Sequence, residues 1–541
     1  MALFRVRQRI VVSLGVFVLL AVVHTWPLAS DVGHLSRVDP GDGPLNIWAV
    51  AWVAHELPRH PLRVFDANIF YPEPLTLGYS EAMIVQGLLA VPVIALGGSA
   101  VLAYNLVLLA GLALTGWAFC LLAQRWTGSW SAGYVAGSLA GFNSYVLVRF
   151  AHLQTQHVEF IALMLFALDR LVVSRRLRDA LLLGVGFALQ GLTSVYLLVF
   201  SVWTLVFAVM ARSREWIRGG GFGMLTRLAL AGSVGALVIA PYLYAYARLH
   251  QTTGWTRGVD DQIPAVWVNY LATASRLHYA FWSKPFYAEA SSAAFPGVTA
   301  MALVVVAFVC SETRRDMRFR MCLLVAIGCF AVSFAPTWPF YSVLHRTVPL
   351  FQAVRVPAHL GQIVLLMVAL MAGFGVAGVK RRWRNTRTWP AIACAMCIAA
   401  NIEALRAPVG WVRFDGIPAA YDALAADATA VIVELPFPIP TQWFLNGRYM
   451  VNSTRHWRPM LNGYSGFRPP SYEISYAAAQ AFPDDRSLIA LHGLGVTHVV
   501  VHVAAFVEGH GQERFDALDR VRALQVVSRD DAIVVYRLQA P

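Results

Sequence analysis

The stretch IVVSLGVFVLLAVVHTWPL (10–28), with RVDPGDGPLNIW (37–48) soon after it, decides the fold. The apolar run is long enough to cross a bilayer core of about 30 Å. Arg5, Arg7 and Arg9 precede it and hold that end in the cytoplasm. A cleaved signal peptide begins the same way, but the further apolar runs downstream favour a retained first helix. Residues 37–48 then emerge on the outer face, carrying Asp39 and Asp42 in a Pro/Gly turn.

The rest of the chain fits this start. Of 541 residues, 58% are hydrophobic and 13% charged, against about 25% charged in soluble domains, which excludes an ordinary cytosolic enzyme and a disordered chain. Further apolar runs lie at 99–122, 132–148, 157–173, 180–193, 195–211, 227–247, 294–311, 319–335, 359–379 and 389–405. The net charge of +13 would suit nucleic acid, but its location does not. Arg125, Arg175, Arg176, Arg178, Arg212, Arg214, Arg218, Arg314, Arg315, Arg318, Arg320 and the run from Lys380 to Arg387 fall in short connections between apolar runs, the positive-inside pattern. No nucleic-acid partner is expected.

All of these clusters lie inside only if segment 82–97, short and broken by Pro92 and Gly97-Gly98, does not span and lies in the interface or as a re-entrant piece. About eleven spans result, with the N-terminus cytoplasmic and the C-terminus outside. The outer face then carries 29–98, 149–156, 248–293, 336–358 and everything after 405. The six cysteines sit in or beside apolar runs; Cys394 and Cys397 read as packing residues one helical turn apart.

Beyond Arg406 the pattern changes. Val431 to Leu435 reads as a buried strand ended by Pro436, Thr497 to Val503 as a second, and Leu524 to Leu538 as a hairpin turning at Asp530-Asp531. The expected fold is therefore mainly α: a polytopic transmembrane helical bundle over 1–405, and a small α/β domain over 406–541 outside the membrane.

Candidate chemistry lies on the outer face. Asp39 and Asp42 can act as a general base or hold a divalent cation, Mg or Mn, near a phosphate; equally, they can cap the helix that follows. Trp48 and Trp52 share one face of that helix, which suits the headgroup layer, and the acid Glu81 follows. In the loop 149–157, His152 and Gln154 can bind a sugar, a phosphate or a metal, or can anchor the loop at the interface. Arg355 is an isolated cation on the outside, suited to a lipid phosphate or to snorkelling. In the C-terminal domain Arg455, His456, Asn462 and Tyr464 combine a cation, an amide and aromatic rings that can stack on a sugar or form a local network.

A first helix, a long outer loop with acids near its start, juxtamembrane helices and a Gly-Ser break at Gly98-Ser99 resemble the GT-C glycosyltransferases. The phrases NIFYPEPLTLGYSE (68–81), VELPFP (433–438) and HWRPMLNGYSGFRPPSY (456–472) are similar to a bacterial group of GT-C-like membrane proteins, distantly YfhO-like. The resemblance implies a multi-pass protein of the bacterial cytoplasmic membrane. It implies a glycosyltransferase taking its sugar from a polyprenyl-phosphate donor, with a glycan, lipid or protein as acceptor. It also implies that a first-loop acid is catalytic or metal-binding; Asp42 is the first choice and Asp39 the second. A flippase for lipid-linked saccharides and a non-catalytic envelope-assembly protein are the alternatives. Few charges lie within the apolar runs, which favours surface chemistry over transport.

A reporter fused after Pro541, or within 248–293, is expected to be active only when exported. Cytoplasmic activity at the C-terminus would remove the eleven-span arrangement.

Overall fold

The computed structural model describes residues 2–254, 258–347, 352, 354–383 and 386–540; Arg384, within the last basic cluster, lies outside them. Among the described residues, a helix occupies each of the eleven apolar runs, from Ala2–Thr25 and Ala100–Thr127 to Gly361–Arg382 and Trp389–Ala404. Four stretches are long and apolar enough to cross a membrane by length and composition: Val6–Thr25, Ala100–Thr127, Gly221–Thr253 and Pro357–Arg382. The other helices are shorter; Val195–Ala211, Val298–Val309 and Trp389–Ala404 are apolar throughout most of their length.

The chain forms two compact units: residues 1–30 with 107–410, and residues 31–106 with 411–541. Sequence reading draws a boundary near 405, close to the second transition, but groups 31–106 with the membrane helices.

In the first unit, small residues set the closest helix approach. Gly133, Gly137 and Gly141 recur every fourth residue on helix Trp130–Gly141. A Cβ on Gly137 would stand 2.4 Å from the Gly116 carbonyl, so only glycine lets the two backbones touch, as small-residue stripes do in membrane helices. Buried charge is held in paired sites. Arg212 donates to Asp169 at 2.7 Å and Arg318 to the other Asp169 oxygen at 3.0 Å. This ties helix Glu159–Ser174 to the end of Val195–Ala211 and the start of Met317–Ser333. Glu403, on helix Trp389–Ala404, accepts the backbone N–H groups of Val298 and Thr299 and the His278 ring. It supplies from a distance the cap that Gly297 cannot.

The second unit is built on a helix and a sheet. Strand β1 (Leu35–Ser36) pairs antiparallel with β2 (Val412–Arg413). Strands β3 (Ile432–Leu435), β4 (His498–His502), β5 (Leu524–Arg529) and β6 (Ile533–Leu538) form a sheet in the order β3-β4-β6-β5, with β3 and β4 parallel. The three expected strand segments thus form the sheet, and the hairpin turns at Asp530-Asp531 as expected.

Helix Asp42–Glu56 is buried along Gly43–Ala54, packed against helix Ile84–Ala95 and helix Asn446–Ser453. This corrects the headgroup-layer reading of Trp48 and Trp52. They are 1% and 5% exposed, and their indole N–H groups are satisfied by Asn68 (3.1 Å) and the Val64 carbonyl (2.9 Å). Part of what covers this helix comes from the far end of the chain, beyond the reach of any local pattern. Segment 82–97 forms helix Ile84–Ala95 in this unit, with Pro92 inside it.

Asp169→Ala would leave the Arg212 guanidinium, 2% exposed, with Glu215 as its remaining acid. Stability is expected to fall by about 1.5–3 kcal/mol, read as a lowered thermal midpoint in detergent. An unchanged midpoint would mean that the cluster is idle.

Candidate active site

Asp42 owes its position to two glycines. Gly41 has φ 131°, a conformation that side chains avoid. A Cβ on Gly43 would lie 1.9 Å from the Arg37 carbonyl. The chain therefore folds back on Arg37, and Asp42 becomes the first residue of its helix, where the backbone dipole favours negative charge. Gly41 is the N-cap and no side chain caps the helix end. The Asp42 carboxylate accepts a hydrogen bond from the Tyr464 hydroxyl, 2.8 Å from Oδ1. At Asp39 the Arg37 guanidinium donates to Oδ2 at 2.9 Å, while Oδ1 is buried without a hydrogen-bond partner. One acid thus takes a donor from a guanidinium, and the other takes one from a neutral phenol.

Among the described residues no group of three His, Cys, Asp or Glu stands together as a metal site.

The expected C-terminal residues divide. Tyr464 reaches Asp42. Asn462 is fully buried: its side chain accepts from the Glu434 N–H at 2.7 Å and donates to the Glu434 carbonyl (3.1 Å) and Asn446 (2.9 Å). It staples the loop to β3 and has no face for a substrate. His456 is 4% exposed and stacks on Tyr421 at 5.7 Å. Its Nδ1 accepts from the Arg458 N–H, and burial, helped by the Arg458 charge, lowers its pKa to about 3. It is a neutral core ring. Arg455 is an exposed partner of Asp422 at 3.0 Å, and Glu81 is partly exposed ahead of helix Ile84–Ala95. Trp48 is a core side chain, so the substrate-binding role expected for Trp48, Asn462 and His456 does not fit where the fold puts them.

Sequence reading missed two features of this unit. Trp443 packs nearly perpendicular to Tyr464, ring centroids 5.1 Å apart, and carries the Arg468 guanidinium at 5.7 Å. Fully buried Glu434 accepts from Tyr421 at 2.9 and 2.7 Å and meets His502 at 2.6 Å. A single acid inside the apolar strand VIVEL was the available signal for the second.

In the other unit, the loop after Phe142 gathers cationic and aromatic groups. The Arg149 guanidinium lies over the Tyr145 ring at 4.8 Å and 3.4 Å from His359 Nδ1. The His359 ring also meets Tyr145 at 5.5 Å and Tyr196 at 6.0 Å. Arg149 and His152 both lie within electrostatic reach of His359. Arg149 Nε and Gln154 Oε1 are buried without partners, so the cluster holds unused hydrogen-bonding capacity. Arg355 is exposed; its backbone N–H donates to the Tyr196 hydroxyl at 3.0 Å, which sets it beside the same rings. Arg149 and His359 stand in the stretches that carry His152 and Arg355, but the contacts that join them are tertiary.

No family model and no curated protein matches the sequence. Solved structures do match the fold. The mycobacterial arabinofuranosyltransferase AftD aligns over 99% of this chain with TM-score 0.56 and 14% identity. This chain spans about 40% of the AftD chain's length. ArnT from Cupriavidus metallidurans, bound to undecaprenyl phosphate, aligns over 97% of this chain and 98% of its own, with TM-score 0.50 and 14% identity. The fold is that of the GT-C glycosyltransferases.

Two neutral histidines, buried His456 and half-buried His55, give the second unit an acid sensitivity. His55, like His456, is pushed down by burial, to about 4. Unfolding lets both rings take up protons below the ordinary histidine value of 6.5. Their contribution to stability is therefore complete above about pH 6.5 and is lost as the pH falls toward 4 and then 3. The urea midpoint of the full chain in detergent is expected to fall across that window, and less steeply in His456→Asn; equal slopes would contradict the assignment.

Proposed function

We propose that this GT-C-fold membrane protein is a glycosyltransferase of the bacterial cytoplasmic membrane, moving a sugar from a polyprenyl-phosphate donor to a hydroxyl of an envelope acceptor on the outer face. The observation that carries this reading is Asp42: a carboxylate in the first loop, placed by Gly41 and Gly43 at a helix start and held there by a phenol on one oxygen. The eleven-span topology, with residues 411–541 outside, belongs to the same proposal.

The chemistry asks little else of the protein. The acceptor oxygen attacks the anomeric carbon, the bond from that carbon to the phosphate oxygen breaks, and its electrons leave on the phosphate. The acceptor proton passes to Asp42. The leaving group is already a phosphate, so no strong acid is needed there. Arg149 supplies a positive charge suited to a phosphate, and its unpartnered Nε is a donor available for a phosphate oxygen. Arg355, exposed beside Tyr196, is a second guanidinium for the same anion. Gln154 offers an acceptor for a sugar hydroxyl.

The test uses the purified full chain in lipid nanodiscs and a panel of synthetic polyprenyl-phosphate pentoses and hexoses, with release of polyprenyl phosphate measured by mass spectrometry against envelope extract as acceptor. Asp42→Asn, which keeps size and capping ability, is expected to slow release by about 100-fold or more. Arg149→Gln is expected to weaken binding of undecaprenyl phosphate by about 10-fold, with Asp42→Asn leaving that binding unchanged. Failure of every donor to turn over, or full activity in both Asp42→Asn and Asp39→Asn, would overturn the reading.

A further inference from the structure

We infer that Tyr464 is a positioning residue for Asp42, so that the last part of the chain holds a base that stands near its beginning. The inference rests on the reading of Asp42 as the base and names what aims it.

The geometry gives Tyr464 one place to be. Its loop is sewn down on both sides: Met460 N–H donates to the Asn68 carbonyl, Leu461 N–H to the Ile432 carbonyl, and Phe70 N–H to the Asn462 carbonyl, at 2.9, 2.9 and 3.2 Å. Asn462 fastens the same loop to Glu434 through both of its side-chain atoms. Gly463 lies flat against the Phe70 ring, where a Cβ would stand 2.6 Å away. The Tyr464 ring is then stopped by the Trp443 ring, nearly perpendicular to it at 5.1 Å and 81°, and its backbone N–H points at the Met450 sulfur, 3.2 Å away. Trp443 is itself braced by Arg468, which pairs with Glu473 at 3.1 Å. The phenol is thus a fixed donor, and it meets Asp42 Oδ1 at 2.8 Å.

An aspartate has two side-chain torsions, and the second of them is broad. Proton transfer depends on the base standing within hydrogen-bond reach at a set angle. A rigid donor on one oxygen fixes the plane of the carboxylate and hence the direction of the other oxygen. Tyr464 accordingly acts through Asp42 and does not itself touch the reacting atoms.

The test is a double-mutant cycle on the full chain in nanodiscs, with the polyprenyl-phosphate sugar of the panel that turns over fastest. Tyr464→Phe keeps the ring and removes the hydroxyl. It is expected to lower kcat by about 10-fold, the scale of one hydrogen bond to a charged group, with donor and acceptor KM unchanged. In the Asp42→Asn background the same change is expected to cost less than about twofold, because the group it positions is gone. Additive losses, a raised acceptor KM with kcat unchanged, or wild-type kinetics in Tyr464→Phe would each overturn the inference while leaving the base role of Asp42 intact. Wild-type kinetics in Asp42→Asn would remove the base role itself. If Tyr464→Phe does not fold, 3-fluorotyrosine at position 464, which keeps the hydroxyl and alters its donor strength, is put through the same cycle, with the same criterion: a changed kcat that disappears in Asp42→Asn.

Discussion

Helix Asp42–Glu56 has almost no solvent face, and the second unit is organised around supplying it with one partner after another. Twelve consecutive residues, Gly43 to Ala54, are buried. Helix Ile84–Ala95 covers part of the surface and helix Asn446–Ser453 another part. Burial of a single large apolar side chain is worth about 1.5–3 kcal/mol, so two tryptophans and the aliphatic residues between them are a strong force for bringing together two distant parts of the chain. The short pairing of β1 with β2, and the bond from Asn68 to Ser453 at 3.1 Å, then fix the register of that association. Asp42 sits at the first turn of this helix and inherits its rigidity.

The two candidate groups illustrate different uses of charge. In the second unit an acid is aimed by a neutral donor, the Tyr464 hydroxyl on Asp42, while Arg37 donates to the neighbouring Asp39. In the first, a guanidinium is held by rings: Arg149 lies over Tyr145 and beside His359. A guanidinium with a buried donor left unused is poorly satisfied by itself and well satisfied by an anion. Elsewhere in the first unit the opposite holds: Asp169 is shared between Arg212 and Arg318, and Glu403 is consumed by backbone N–H groups and His278. Those sites are complete, and they serve to lock helices.

What could be read from the sequence follows from the range of the physics involved. Apolar runs announce helices because each residue's environment there is set by the length of the run, and a helix occupies every one of the eleven. The strands of the C-terminal sheet were legible because β-branched runs bounded by proline and glycine are local signals. The acid at position 42 was legible through its Pro/Gly turn. The fate of Trp48 was not, because a tryptophan pair on one helix face looks the same whether lipid or protein covers it, and one covering helix, Asn446–Ser453, belongs to the other end of the chain. His456 and Asn462 carried the same ambiguity: polar and aromatic residues in a loop can face a sugar or satisfy each other, and only the path of β3 decides. Arg149 and His359 share no motif, since the contact that joins them links two separate stretches of sequence.

The split composition of the second unit also has a consequence in time. Residues 31–106 have no complete core until residues 411–541 exist. At roughly 5–20 residues per second, the ribosome takes on the order of 15–60 s to cover the stretch between them, far longer than a helix or a small domain needs to form. For that interval the Trp48 and Trp52 surface is exposed as an orphan, while the helices of the first unit are being made. Assembly of this protein is therefore a matter of delayed completion: the first loop has to be kept from wrong partners until its own other half arrives.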